Sequence, residues 1–369
     1  MTALTRRIVV STALLSLAAG LTAGCGKTGD HDKGSDGSGG SGGGKSKVIG
    51  LLLPENATTR YEKFDRPRIT AKVKELCPDC TVDYANAAGQ PATQAQQISS
   101  MIAKGVKVLI LDAADAKAVK TSVEAAVDKG IKVVAYDRLA QGPVSAYVSY
   151  DNEKVGELQG QALLDAMGAK AVPSAKIVMI DGDPADPNAA DFKKGAHKIL
   201  DGRVTVAFEQ SGLWKDTVAN QKMTAAITLL GAHSIAGVYS ANDSMAGGIA
   251  TALKGQNINP PLTGQDAELA ALQRILSGTQ SSTVYKPASP ETDPAAEIAV
   301  ALLNGKPFTD VATTTVTSST GQSVPAELLP AVPVTKDTIK DTVMKDQAYT
   351  VAQLCTAQFA ALCKQAGIQ

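Results

Sequence analysis

From residue 47 onward, short strand-like runs alternate with stretches of helical spacing. Residues 48–53, 82–85, 106–111 and 131–136 read as strands rich in Val, Ile and Leu; 58–76, 91–104 and 115–129 repeat their apolar residues every three or four positions. Near-continuous apolar strands are buried on both faces, as in a parallel sheet with helices above and below. Strand–helix units repeated in one direction predict a doubly wound sheet. After a further strand at 146–150 the alternation restarts. Helices are expected at 153–168, 189–200, 216–230, 244–254, 267–277 and 290–304. Strands are expected at 176–180, 204–208, 235–239, 261–264 and 282–285. Residues 308–350 are rich in Thr, Val and Pro and predict irregular strands, and 351–367 a short helix. The pattern is two α/β halves of similar design.

In open α/β sheets, ligands bind beyond the carboxyl ends of the strands. The polar residues there share one chemistry: Arg60 and Tyr61, Asp137 and Arg138, Asp186 and Asn188, Trp214, Asn242 and Asp243, Gln265 and Asp266, and Lys286. The central pair is Asp137-Arg138, after the strand 131–136. A carboxylate accepts from hydroxyls, and a guanidinium donates in a fixed fork. Acids, amides and cations suit the hydroxyl rim of a monosaccharide, and Trp214 and Tyr61 suit its C–H faces. Each residue also has a plainer reading. Asp137 and Arg138 could be a surface ion pair, Trp214 packing under a loop, and Asn242, Asp243 and Asp266 helix caps. It is the joint pattern that points to a polyhydroxylated ligand.

Composition narrows the class. The chain has 369 residues, enough for two domains, and equal numbers of basic and acidic residues, which gives no sign of nucleic-acid binding. Residues 1–24 read as a signal peptide: Arg6-Arg7, then an apolar stretch too short to span a membrane. Leu21-Thr22-Ala23-Gly24-Cys25 resembles a bacterial lipobox, with Thr22 where Leu is common, so Cys25 is the expected lipidation site; the same residues also suit a plain secretory signal. The Arg pair fits either general or twin-arginine export. Residues 26–46, rich in Gly and Ser, predict a flexible tether of about 20 residues with an r.m.s. reach of roughly 25 Å. Without Cys25, four cysteines remain in an exported chain, and an even number argues for disulfides. Cys77–Cys80 and Cys355–Cys363 are the local pairs, though all three connectivities stay open. Cys77-Pro-Asp-Cys80 also has the spacing of a redox motif, but it does not open a helix after a strand. His31, His197 and His233 are isolated and lack metal-ligand spacing. Neither a dinucleotide nor a nucleotide-phosphate loop occurs, nor a hydrolase triad signature, so neither metal nor cofactor is expected.

Several long motifs carry a family resemblance: AYDR (135–138), SYDNEKVGELQG (149–160), SANDSMAGG (240–248), TGQDAELAALQRILSGTQSSTVYKP (263–287) and AAEIAVALLNGK (295–306). In this order they resemble the type I periplasmic sugar-binding proteins of ABC importers, most nearly the D-xylose-binding members. The resemblance covers about residues 47–345. It implies two lobes joined by three chain crossings, near 151–152, near 285–287 and within 308–335. Lobe I would comprise 47–151 and 287–307, and lobe II 152–286 and 308–345, with a C-terminal helix and its Cys pair at 346–369. It implies hydroxyl contacts from Arg60, Asp137, Arg138, Asn188, Asn242, Asp266 and Lys286, and a ring sandwiched by Trp214 and Tyr61. Tyr61 stands where the family carries Trp, Pro187 where Asn is expected, and 56–59 lack the charges of the family's first loop. The implied partners are a monosaccharide (D-xylose, or another aldose such as glucose or arabinose) and the membrane subunits of an importer, with a lipid anchor and a monomeric chain. A sensor in place of the importer fits the same residues. A transcription regulator of this fold would need an N-terminal DNA-binding motif, where 1–46 hold a leader and tether. An enzyme would need an acid–base pair, for which Asp137 with Asp266 is the one candidate.

Overall fold

The computed structural model describes residues 47–369. The predicted leader, Cys25, the tether and His31 lie outside them. Five strands run parallel: β1 (Val48–Leu53), β2 (Thr81–Asn86), β3 (Val108–Leu111), β4 (Lys132–Tyr136) and β5 (Ala146–Tyr150). Between them lie α1 (Arg66–Leu76), α2 (Pro91–Lys104) and α3 (Lys120–Asp128). Side chains alternate faces along a strand. Leu51, Leu53 and Ile110 therefore enter one core with Ile69 and Val73 of α1, while Leu52, Leu109 and Leu111 enter another with Ile98 of α2 and Val123 of α3. Pro91 opens α2, and Gly105, in a left-handed conformation, closes it.

The chain then leaves this sheet. α4 (Asn152–Met167) starts on the Asp151 cap, whose side chain accepts from the Lys154 N–H. β6 (Lys176–Asp181), α5 (Pro187–Leu200), β7 (Thr205–Ser211), α6 (Asp216–Leu230), β8 (Ile235–Ser240) and α7 (Asp243–Gly255) follow. The second sheet has the parallel order β7-β6-β8. α4 and α5 nearly touch: a Cβ on Gly156 would lie 2.0 Å from the Phe192 carbonyl oxygen, and one on Gly195 1.9 Å from that of Glu153. The strand predicted at 261–264 is reduced to one bridge between Val238 and Leu262, but hydrogen bonds from 262–266 still tie β8 to the next strand. α8 (Leu269–Ser277) and β9 (Thr283–Tyr285) complete this half.

α9 (Ala288–Leu303) returns to the first sheet and buries Ala295, Ala296 and Ala299 against it. β10 (Thr314–Thr317) and β11 (Ser323–Leu329) extend the same sheet, giving the order β10-β11-β5-β4-β3-β1-β2. This corrects the expected placement of 308–345 in lobe II. β11 pairs in parallel with β5, and Val324 and Ala326 enter the first sheet's core, so 314–329 belong to lobe I. β12 (Val332–Val334) then pairs antiparallel with β9 in lobe II. The chain thus passes between lobes at 150–152, 285–288 and 329–332.

The single helix expected within 346–369 is two, α10 (Val351–Leu354) and α11 (Ala360–Gln365). Cys355 and Cys363 have Cα atoms 5.8 Å apart with their sulfurs at bonding distance. Eight residues along a continuous helix would separate them by about 12 Å, so the chain must turn back. The hairpin packs with Ile339, Val343 and Tyr349 on Leu272, Ile275 and Leu276 of α8. Cys77 and Cys80 are also at bonding distance, Cα 5.2 Å apart, in the turn between α1 and β2.

Candidate functional site

The strand ends of both lobes meet at one small cavity of about 20 Å³. Lobe I contributes Thr58, Arg60, Tyr61, Asp137 and Arg138. Lobe II contributes Asp186, Asn188, Phe192, Trp214, Asn242, Gln265 and Asp266, and Lys286 enters from the second crossing. All nine residues that the resemblance implies as sugar contacts border it. Their side of the cleft is shut: Asn188 Nδ2 donates to the Asp137 carbonyl at 3.0 Å, Arg138 Nε lies 2.9 Å from Asp186 Oδ2, and the Ala116 N–H donates to the Ala185 carbonyl at 3.2 Å. A larger cavity, about 330 Å³, lies behind Arg60, Asp266 and Lys286 beside the second crossing. It meets the convergent strand ends only through those three residues.

The lobe I wall is a buried charge network. Arg60 Nε donates to Asp65 at 2.9 Å and Nη2 to the Tyr136 hydroxyl at 3.2 Å, with Glu291 also on Nη2. Arg60 Nη1 is 3.6 Å from Asp137 and makes no hydrogen bond. The Tyr61 hydroxyl donates to Asp137 Oδ2 at 3.3 Å and receives Arg138 Nη2 at 3.2 Å. Both guanidinium groups also face the Tyr61 ring, 5.5 and 6.0 Å from its centroid. Burial alone would raise the Asp137 carboxyl, but Arg60, Lys286 and Arg138 outweigh it and hold the group below the usual carboxylate range. Asp137 is therefore a charged acceptor at neutral pH. Burial pushes Glu291 and Asp65 upward, with Arg60 opposing.

The lobe II wall is built from helix caps and rings. Asp186 caps α5 by accepting from the Asn188 N–H at 2.8 Å, and Pro187 fills the first helical position. Asn242 caps α7 by accepting from the Met245 N–H at 3.0 Å. The capping reading of Asn242 thus holds together with its place on the cavity. Trp214 Nε1 donates to Asp186 at 3.2 Å, and its ring packs edge-on to Phe192 with centroids 6.3 Å apart. Gly182 makes room for that ring, since a Cβ there would lie 2.1 Å from it. Lys286 Nζ sits 3.2 Å from Asp266 and 5.5 Å from the Phe192 centroid. Burial raises the Asp186 carboxyl to about 6, with Arg138 opposing.

Three cavity residues that are not glycine have positive φ: Asp137 at 57°, Trp214 at 57° and Asp266 at 94°. Such backbone is strained by about 1–3 kcal/mol each and persists where the surroundings over-determine it, commonly at ligand sites. The cavity also holds buried polar atoms without a hydrogen bond: Arg60 Nη1, Gln265 Oε1 and Asp266 Oδ1. One donor and two acceptors facing a small space match hydroxyl groups, which both donate and accept.

Sequence reading missed Phe192 and Thr58. Phe192 lies in α5 at core spacing and looks like packing, which it also is. Asp243, among the strand-end residues, is no part of the cavity. It turns inward, accepting from Gln280 at 2.7 Å and Thr283 at 2.8 Å. Among the described residues no cluster of His, Cys, Asp and Glu could hold a metal ion, and no helix is long and apolar enough to cross a membrane.

The family model for the periplasmic binding protein domain matches residues 49–307. The chain belongs to the periplasmic binding protein family. It is 37% identical over 321 residues to the D-xylose-binding periplasmic protein of Escherichia coli K12, covering 84% of this chain and 93% of the relative. It is 34% identical over 328 residues to the multiple sugar-binding periplasmic protein of Azospirillum brasilense, covering 83% and 90%. Among solved structures it resembles the carbohydrate transporter solute binding protein of Chloroflexus aurantiacus, crystallised with D-glucose. The TM-score is 0.75 at 28% identity, covering 84% of this chain and 98% of that one. As a type I periplasmic binding protein the molecule is a solute receptor and not an enzyme.

Proposed function

We propose that this periplasmic binding protein captures a monosaccharide, D-xylose, between its lobes and delivers it to the membrane subunits of an ABC importer. One observation carries the reading: seven strand-end segments from both lobes converge on a single cavity, lined by charged acceptors, donors and aromatic faces. Sugar bridging both walls favours closure, because only the closed form offers both sets of contacts. Affinity is expected on the order of micromolar, about −8 kcal/mol. The E. coli relative named for D-xylose supports that sugar. The relative solved with D-glucose supports a second reading, an aldohexose ligand, which differs by one hydroxymethyl group.

The leader and Cys25 support export and a lipid anchor on the outer face of the cell membrane, with the tether leaving a monomeric receptor free to tumble. In that oxidising setting both cysteine pairs are disulfides. Cys25→Ser should release the protein from the membrane fraction.

The deciding experiment is a thermal-shift screen of D-xylose, D-glucose, L-arabinose and D-ribose, with calorimetry on those that respond. A ligand in excess of its Kd raises the melting temperature. Arg138→Ala and Asp266→Asn should strongly reduce the shift at a given sugar concentration with the fold retained. If both variants respond like the parent, the site is elsewhere; if no monosaccharide shifts the parent, the function is wrong.

A further inference from the structure

Asp112, at the carboxyl end of β3, has no part in the site as described, yet it is fully buried and neither of its carboxylate oxygens receives a hydrogen bond. Among the described residues the cation within ion-pair distance is Arg138, whose Nε lies 3.5 Å from Asp112 Oδ1. The same Nε lies 2.9 Å from Asp186 Oδ2 across the cleft, and it is aligned for a hydrogen bond with neither. The rest of the guanidinium is held within lobe I, by the Ala113 carbonyl at 3.1 Å and the Tyr61 hydroxyl at 3.2 Å. One edge of Arg138 is thus shared between a carboxylate of its own lobe and a carboxylate of the other.

We infer that Asp112 is an affinity-setting residue: it competes with Asp186 for Arg138, stabilises the open receptor, and so weakens sugar binding to a reversible level. The inference rests on the proposed reading that the lobes close on a sugar. When lobe II swings away, Asp186 goes with it, and Asp112 becomes the carboxylate that pairs with Arg138. When the lobes shut, Asp186 takes the short contact and Asp112 is left buried without a donor, a costly state for a charge. A device that favours the open form lowers apparent affinity by reducing the free energy available for closure.

The charged and titratable groups facing Asp112 are Arg138 and Asp137 at the end of β4, Asp186 of lobe II, and Arg60 and Tyr61 of the first loop. Burial pushes its carboxyl well above the usual range in the closed form, with Arg138 opposing. Closure should therefore favour proton uptake at this carboxyl.

The test is calorimetry of the whole secreted chain with D-xylose and D-glucose, in buffers of differing ionisation enthalpy, on the parent and Asp112→Asn. Solution scattering without sugar is measured in parallel. The variant should bind on the order of tenfold tighter, show a smaller unliganded radius of gyration, and take up fewer protons on binding. Asp112→Ala should shift affinity and radius the same way, which keeps the test valid if the first variant folds poorly. Equal or weaker binding by Asp112→Asn, with an unchanged radius, overturns the inference. A parent that binds no monosaccharide overturns the underlying function instead.

Discussion

The two walls of the cavity reach the same chemistry by different means. In lobe I the charged groups at and behind the cavity hold one another: Arg60, Asp65, Tyr136, Asp137 and Glu291 form a closed, buried network before lobe II contributes anything. In lobe II each group is held by its own element, Asp186 and Asn242 as caps of α5 and α7, and Trp214 by its bond to Asp186. A network wall fails as a unit, whereas a wall of separately anchored groups can lose one member and keep its shape. The first suits a rigid platform and the second a surface that adapts to the sugar.

The contrast is sharpest at Arg60. Removing it leaves Asp65 and Glu291, both without solvent exposure, and Asp137, nearly so, without their shared cation. Breaking a buried charge network from one side destabilises by about 3–5 kcal/mol. Arg60→Ala should lose sugar binding and lower the denaturant midpoint together, as read by urea unfolding and calorimetry. A variant that folds like the parent would break the idea that this wall is one unit.

Asp266 tests the other wall. Asn tolerates its positive φ and keeps an acceptor but removes the charge next to Lys286. Truncating a buried charged pair at a site costs about 2–5 kcal/mol of binding, so Asp266→Asn should weaken sugar by roughly 100-fold. Its urea midpoint should stay close to the parent's. A large stability loss would show the two walls to be alike.

Acidity distinguishes the walls in a third way. Closure buries Asp186 and raises its carboxyl to about 6, whereas an exposed Asp sits near 3.9. The closed form therefore binds the proton more tightly, and a raised carboxylate stabilises the state that holds it as pH falls through that window. Sugar affinity should rise modestly from pH 7 to 5. At still more acid pH it should fall, as Asp137, held low by its cations, finally takes a proton. A Kd that weakens steadily between pH 7 and 5 would mean that ionised Asp186, paired with Arg138, matters more to closure than its burial. The same sign applies to folding. Burial raises Asp243 to about 8, so its contribution is complete at acid pH and lost as pH rises towards 8. The melting temperature should decline between about pH 4 and 8.

Much of this was legible because strand ends are where parallel sheets present ligands, and Asp137-Arg138 follows an unmistakable buried strand. Phe192 was not legible, since an aromatic residue on the inner face of a helix carries the same signal whether it lines a cavity or a core. Asp112 also ends a strand, but nothing in its neighbours reveals that Arg138 swings within reach. The segment 314–329 was misplaced because its partner β5 lies far back in the chain. A short Thr- and Val-rich strand fits the edge of either sheet, and only the hydrogen bonds between β11 and β5 decide. The C-terminal turn was implicit in the Cys355–Cys363 spacing, which no straight helix can bridge.

The smallest effect on sugar should come from the two cysteine pairs, one in each lobe and both remote from the cavity. If they are disulfides, each closes a short loop, and chain entropy assigns about 2 kcal/mol to Cys77–Cys80 and about 3 kcal/mol to Cys355–Cys363. The first pins a turn between α1 and β2. The second holds the α10–α11 hairpin on α8, where Tyr349 also packs edge-on to Phe64 of lobe I, centroids 5.8 Å apart. Cys77→Ser with Cys80→Ser should lower the urea midpoint and leave the sugar Kd unchanged. Cys355→Ser with Cys363→Ser should lower stability slightly more and loosen the Phe64–Tyr349 contact, changing Kd by less than about threefold, since that contact is worth about 1 kcal/mol at most. A tenfold change from either double variant would show that the walls are not anchored locally but depend on the far ends of their lobes.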